Sequence, residues 1–228
     1  MNTTGPGAGS PASAPSRSEV SIKATRATQR RYDRLAPFYD RLDRIGRPDW
    51  RRRVFGETAG QVLEIGVGTG KNFPFYKLGT SITAVDVSPR MLEIARRKLA
   101  KGEGIGDGGP VPVKLMLTDA QSLPFSDASF DCAVATFVFC SVPDPVLGLE
   151  EIRRVLAPGG KLVLLEHMRR DDRIVGPLMD LLNPLVVRMM GANINRRTVE
   201  NVRKAGFVVD QVDDLSMNIV KLIQAHRS

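Results

Sequence analysis

The run Glu64-Ile65-Gly66-Val67-Gly68-Thr69-Gly70 ends a short apolar stretch, Gln61 to Ile65. Asp86 stands twenty residues beyond Gly66, just after a second apolar stretch, Ile82 to Val85. Glycines let a chain turn tightly and let a ligand press on bare backbone. A carboxylate in the Asp86 position accepts two hydrogen bonds from ribose hydroxyls. The spacing narrows the ligand. Dinucleotide sites use Gly-x-Gly-x-x-Gly, whereas this run is Gly66-x-Gly68-x-Gly70 followed by Lys71. Glu64 also brings negative charge to where a pyrophosphate would sit. The pattern argues for a nucleoside ligand that lacks phosphate, and an acidic lining suits one that carries positive charge.

Such residues work only if regular elements hold them. After Gly60 apolar strands alternate with helices. Strands are expected at 61–65, 82–85, 113–117, 130–136, 161–166, 207–212 and 217–225. Ser88-Pro89 and Asp144-Pro145 each read as a helix start, with a side-chain cap and a proline in the first helical position. Ala157-Pro158-Gly159-Gly160 ends the second of these helices, and a last one runs from Thr198 to Ala205, closed by Gly206. This order predicts an α/β fold: a doubly wound, mostly parallel seven-stranded sheet with helices on both faces. Ligands of such sheets bind at the carboxyl ends of the strands, at the switch point.

The chain has 228 residues, of which 42% are hydrophobic and 25% charged. That suits one soluble domain. Residues 1–20 read as a disordered tail of Gly, Pro, Ser, Ala and Thr, and 21–228 as the single domain. Net charge is +8, and residues 17–53 hold 12 Lys/Arg against 5 Asp/Glu, an excess of +7. Residues 21–57 therefore read as a basic helical lid, broken near Pro37 and around Gly46-Arg47-Pro48. Leu35, Phe38, Leu42 and Ile45 would form one face of an amphipathic helix between Arg31 and Ile45. Residues 168–197 read as an apolar, Met-rich insertion capping a greasy substrate. No secretory signal or membrane-spanning segment is expected. With only His167 and His226 as histidines, no metal site is expected either. Cys132 and Cys140 read as reduced core thiols. The basic stretch lacks the aromatic platform of a nucleic-acid binder.

Five segments in order resemble the class I S-adenosylmethionine-dependent methyltransferases. Glu64-x-Gly66-x-Gly68-x-Gly70 looks like their first motif, and Val85-Asp86-Val87-Ser88-Pro89-x-Met91-Leu92 like the second. Thr118-Asp119-Ala120-x-x-Leu123-Pro124-Phe125 looks like the adenine-contacting motif. Phe130-Asp131 and Arg154 to Gly160 match the flanks of strands four and five. The resemblance implies a Rossmann-like fold and S-adenosylmethionine as cofactor, released as S-adenosylhomocysteine. It implies that Gly66, Gly68 and Gly70 cradle the methionine and sugar, that Asp86 holds the ribose, and that Asp119 and the Ala120 amide read the adenine. Thr136 and Phe137 would line the methionine end. Tyr32, Glu64, Asn72, Val87, Ser88 and Met91 complete the implied cofactor set.

Tyr32-Asp33-x-x-Ala36-x-x-Tyr39-Asp40 resembles the lid of lipid-amine and quinone methyltransferases. Phe139 to Pro145 and Gly191 to Arg197 look most like bacterial phosphatidylethanolamine N-methyltransferases, and also like membrane-associated thiol methyltransferases. Methyl transfer to an amine, foremost the phosphatidylethanolamine headgroup, is therefore the expected reaction. A thiol, a quinone carbon or non-catalytic cofactor binding are the alternatives. Tyr32, Tyr39 and His167 are the candidates to orient the amine or relay its proton. The expected location is the cytoplasm, with peripheral contact at the anionic inner face of the cell membrane.

Overall fold

In a computed structural model, residues 17–42, 46–102 and 111–228 are described. Helix α1 is Arg17–Leu35, followed by a 3-10 turn at Ala36–Phe38 and the short helix α2, Tyr39–Leu42. Helix α3 is Pro48–Gly56, strand β1 Gln61–Ile65, β2 Ser81–Asp86 and helix α4 Pro89–Ala100. Strands β3 (Val113–Leu117) and β4 (Phe130–Thr136) precede helix α5, Pro145–Val155. Strand β5 is Leu156–His167, helix α6 Val175–Met190 and α7 Thr198–Lys204. Strands β6 (Phe207–Ser216) and β7 (Val220–Arg227) end the chain.

The sheet order is β3-β2-β1-β4-β5-β7-β6. The first five strands pair in parallel, and β7 lies antiparallel to both β5 and β6. The expected doubly wound sheet is present, and its strand order reverses between β1 and β4, so a cleft opens at their carboxyl ends. Strand alternation divides the core. Leu63 and Ile65 of β1 face Leu149 and Ile152 of α5, whereas Val62 faces Phe55 of α3 and Leu92 of α4. The cap signals act as read. Ser88 Oγ accepts from Met91 N at 3.1 Å and Asp144 Oδ1 from Leu147 N at 3.1 Å, each with proline in the first turn.

Several boundaries differ from the sequence reading. Helix α1 begins at Arg17, inside the stretch read as a tail, while residues 1–16 lie outside the described ones. Strand β5 begins at Leu156 rather than Lys161: Leu156 pairs with Phe130, and the chain then bulges through 157–160 before Lys161 pairs with Cys132. Strand β7 begins at Val220 rather than Met217, because Met217 and Asn218 adopt φ of 50° and 58° in a tight turn. The continuous amphipathic helix from Arg31 to Ile45 does not form. At Pro37 it is interrupted into α1, a 3-10 turn and α2, and Ile45 lies outside the described residues. No described helix is long and apolar enough to cross a membrane.

Candidate active site

Beyond β1 the chain turns under its neighbour, with Gly66 N and Val67 N donating to Val85 O at 2.8 and 3.0 Å. Gly66 and Gly68 take φ of 68° and 56°, a region open to glycine and hostile to a side chain. A Cβ on Gly66 would stand 2.5 Å from Val138, whereas one on Gly68 would approach nothing nearer than the Tyr39 ring at 4.0 Å. Gly68 thus presents open backbone to a cleft at the carboxyl ends of β1 and β4.

Asp86 ends β2 at the cleft wall. Its Oδ2 accepts from Gly68 N and its Oδ1 from Ser88 N, both at 2.8 Å. Burial raises its pKa to about 6, against the lowering pull of those amides. Val87 and Met91 line the cleft beside it. Asp119 and Ala120 line the cleft next to it, after β3, where Thr118 N donates to Asp86 O at 3.0 Å and Asp119 Oδ1 accepts from Gln121 N at 3.0 Å. Thr136 and Phe137, at the end of β4, line the opposite end.

The N-terminal helices close the cleft. Thr25 Oγ1 donates to Asp119 Oδ2 at 2.8 Å, and Ser88 Oγ to Asp33 Oδ1 at 2.6 Å. The hydroxyls of Tyr32 and Ser141 lie 2.5 Å apart, and Thr69 Oγ1 donates to Asp40 Oδ1 at 2.5 Å. Tyr32 and Tyr39 both line the cleft, their rings 6.2 Å apart at 64°.

Five residues read as site groups do not line the cleft. Glu64 is one, for a simple reason: alternation along β1 turns it to the face opposite Ile65. There it is buried, accepting from Asn72 Nδ2 at 2.6 Å and from the Tyr76 hydroxyl. Burial raises its pKa to about 7. Asn72 is spent in the same network, donating also to Thr136 Oγ1 at 2.9 Å and accepting from Arg51. Gly70 packs on the Phe73 ring, and Ser88 caps α4. His167 packs against Phe137, ring centroids 4.7 Å apart, and is not among the residues that line the cleft. The 168–197 segment meets the cleft wall from behind, where Asn193 Nδ2 donates to Cys140 O at 3.0 Å and Arg196 to Val142 O at 2.9 Å.

Other residues were missed. Arg51 is buried and donates to Thr136 Oγ1 at 3.2 Å, which brings a guanidinium behind the Thr136–Phe137 end. In the run Arg51-Arg52-Arg53, its spacing of three and four from the buried Val54 and Phe55 marks it as the inward arginine. Glu166, on β5, accepts from Val138 N and Phe139 N at 2.9 and 3.0 Å and so fixes the cleft wall after β4. Burial raises its pKa to about 7.

The site is thus two acceptor carboxylates, Asp86 and Asp119, at the adjacent ends of β2 and β3, next to bare glycine backbone and under a tyrosine-bearing lid. A family model described as a methyltransferase domain matches residues 63–164. A phosphatidylethanolamine N-methyltransferase of Cereibacter sphaeroides is 37% identical over 155 residues, covering 67% of this chain and 72% of that one. The chain belongs to the S-adenosylmethionine-dependent class I methyltransferases. A demethylmenaquinone methyltransferase of Tropheryma whipplei (strain Twist) is 36% identical over 159 residues, covering 65% of this chain and 63% of the relative. Among solved structures, the 4+2 cyclase SpnF superposes with a TM-score of 0.70 at 19% identity, covering 89% of this chain and 96% of that one. That likeness speaks for the fold alone. The cofactor of this methyltransferase is S-adenosylmethionine, and the cleft fits it: a phosphate-free nucleoside meets acceptors, and no phosphate cradle is built.

Proposed function

We propose that this methyltransferase acts on a membrane-resident amine, the headgroup of phosphatidylethanolamine and its partly methylated forms. The observation that carries the reading is the corner made by the Tyr32 and Tyr39 rings at the cleft. Methylated amines are cations, and aromatic faces attract such cations by roughly 0.5–2 kcal/mol. The 37% identity to a phosphatidylethanolamine N-methyltransferase supports the same acceptor.

S-adenosylmethionine supplies a methyl group on a sulfonium, already activated for transfer. The residues then have to hold and orient. Asp86 would hold the ribose, Asp119 and the Ala120 amide the adenine, and Gly66 and Gly68 the backbone approach. The buried network of Arg51, Asn72 and Glu64 fixes Thr136 from behind. An ammonium has no free lone pair, so the acceptor must give up a proton to solvent water before attack. Burial, then the nearby Cys140, raises the Tyr32 pKa well above its ordinary value. Its hydroxyl stays protonated, which makes Tyr32 an orienting group rather than a base. His167, behind Phe137, positions that ring.

The 36% identity to a demethylmenaquinone methyltransferase favours a second reading, a quinone carbon as acceptor. Competition separates the two. Phosphocholine should inhibit transfer competitively with the acceptor, and Tyr39→Leu should weaken that inhibition at least tenfold, the scale of one cation–aromatic contact. Inhibition by a neutral naphthol, with none by phosphocholine, would favour the quinone and overturn the amine.

A further inference from the structure

We propose that the outer face of α6 seats the protein on an anionic lipid bilayer. Ile174, Leu178, Leu181, Leu182 and Leu185 are exposed, Ile174 by 79% and Leu181 by 76%. At 100° per residue these five fall within an arc of roughly 100°. Val175, Met179, Asn183 and Val186 occupy the inner side and are partly buried. A soluble protein seldom leaves so continuous an apolar stripe in water.

Charge and placement choose the occupant. Residues 168–197 contain six arginines and three aspartates. Each of those aspartates is already bridged to an arginine: Asp171 and Asp180 to Arg169, and Asp172 to Arg170. Arg173 and Arg188 flank the stripe and are exposed. The Arg31 side chain lies over Gly191 at the end of α6, so close that a Cβ there would stand 2.0 Å from its Nη1. Such a rim attracts anionic headgroups, and together with a net charge of +8 it disfavours a second copy. From Ile174 to Leu185 the stripe is about 16 Å long, too short to span a bilayer and suited to lying in its interface.

The inner side of α6 reaches the cleft wall. Asn183 Nδ2 donates to Asn193 Oδ1 at 3.2 Å, and Asn193 N and Nδ2 donate to Cys140 O at 2.8 and 3.0 Å. Cys140 precedes Ser141, the partner of Tyr32. A bilayer under α6 therefore lies about one helix diameter from the acceptor end of the cleft. The benefit of that closeness rests on the lipid-amine reading; the docking surface itself does not.

The test is sedimentation with vesicles of phosphatidylglycerol and phosphatidylcholine, using wild type, Leu181→Glu/Leu185→Glu and the milder Leu181→Ser/Leu185→Ser. The wild type should sediment, and both variants should lose at least tenfold in partitioning while binding S-adenosylmethionine as before. Methylation of dihexanoyl phosphatidylethanolamine, dissolved as monomers, should be unchanged in the variants, and methylation of long-chain lipid in vesicles should fall. Wild-type sedimentation of both variants would overturn the proposal. So would a wild-type dimer that the variants convert to monomer without altered vesicle binding, which would assign the stripe to a second copy. Lost sedimentation in the variants, with no methylation of either lipid by wild type, would uphold the docking and overturn the acceptor reading instead.

Discussion

Thr25 Oγ1 donates to Oδ2 of Asp119 across 2.8 Å, tying the N-terminal helix α1 to the carboxylate proposed to read the adenine. The lid and the cofactor therefore compete for, or share, one acceptor. Thr25→Ala removes one hydrogen bond of about 1 kcal/mol. Stopped-flow measurement should show S-adenosylmethionine leaving several-fold faster from this variant, with the melting midpoint nearly unchanged. Equal release rates would place the lid contact outside the binding step.

Asp86 carries a pH prediction. Its pKa is raised to about 6, and ribose hydroxyls require the ionised form as acceptor. Cofactor affinity should therefore fall by roughly tenfold per pH unit below about 6. Calorimetry across about pH 5 to 8 reads it directly. Asp86→Asn should bind weakly at every pH. A flat wild-type profile would remove Asp86 as the ribose ligand.

Stability should move the opposite way. Glu64 and Glu166 are raised to about 7 from 4.5, and Asp86 to about 6 from 3.8, each chiefly by burial. A carboxyl raised in the fold binds its proton more tightly folded than unfolded. Its contribution is full below the unfolded value and is lost as pH rises through the folded one. The melting midpoint should thus be higher at about pH 5.5 than at about pH 8, and Glu64→Gln should flatten that slope. Asp180 and Glu151, held low by Arg169 and Arg154, reverse the trend in stronger acid. A midpoint that climbs from pH 5.5 to 8 would contradict these assignments.

Tyr32→Phe deletes only the hydroxyl that meets Ser141. It should cost about 1 kcal/mol of stability. Turnover on the amine acceptor should fall at least tenfold, with cofactor affinity within twofold of wild type. Wild-type turnover would make Tyr32 a packing residue.

Much of the site was legible because strand ends announce themselves. Gly66, Gly68, Asp86, Asp119 and Thr136 each follow an apolar run, and the fold brings those ends together. Ser88 and Asp144 were readable as caps from one residue and the proline beside it. Glu64 was misplaced, because motif proximity suggested a lining residue while the period of two along β1 turned it to the other face. His167 stands one residue past Glu166, and the register that hides it behind Phe137 comes from pairing with Val220, a long-range contact. The 168–197 insertion has the composition of a cap, yet composition does not say which side of a helix meets the cleft. Only the packing of Asn183 inward, and of Leu181 outward, decides that.

The most direct measurement uses S-adenosylmethionine with a trideuterated methyl group, vesicles of phosphatidylethanolamine and phosphatidylglycerol, and mass spectrometry of the lipid headgroups. Deuterated mono-, di- and trimethylated ethanolamine headgroups should form in sequence, dependent on the intact chain and reduced by Tyr32→Phe. Unlabelled headgroups, alongside a trideuteromethylated quinone when demethylmenaquinone is supplied instead, would contradict it.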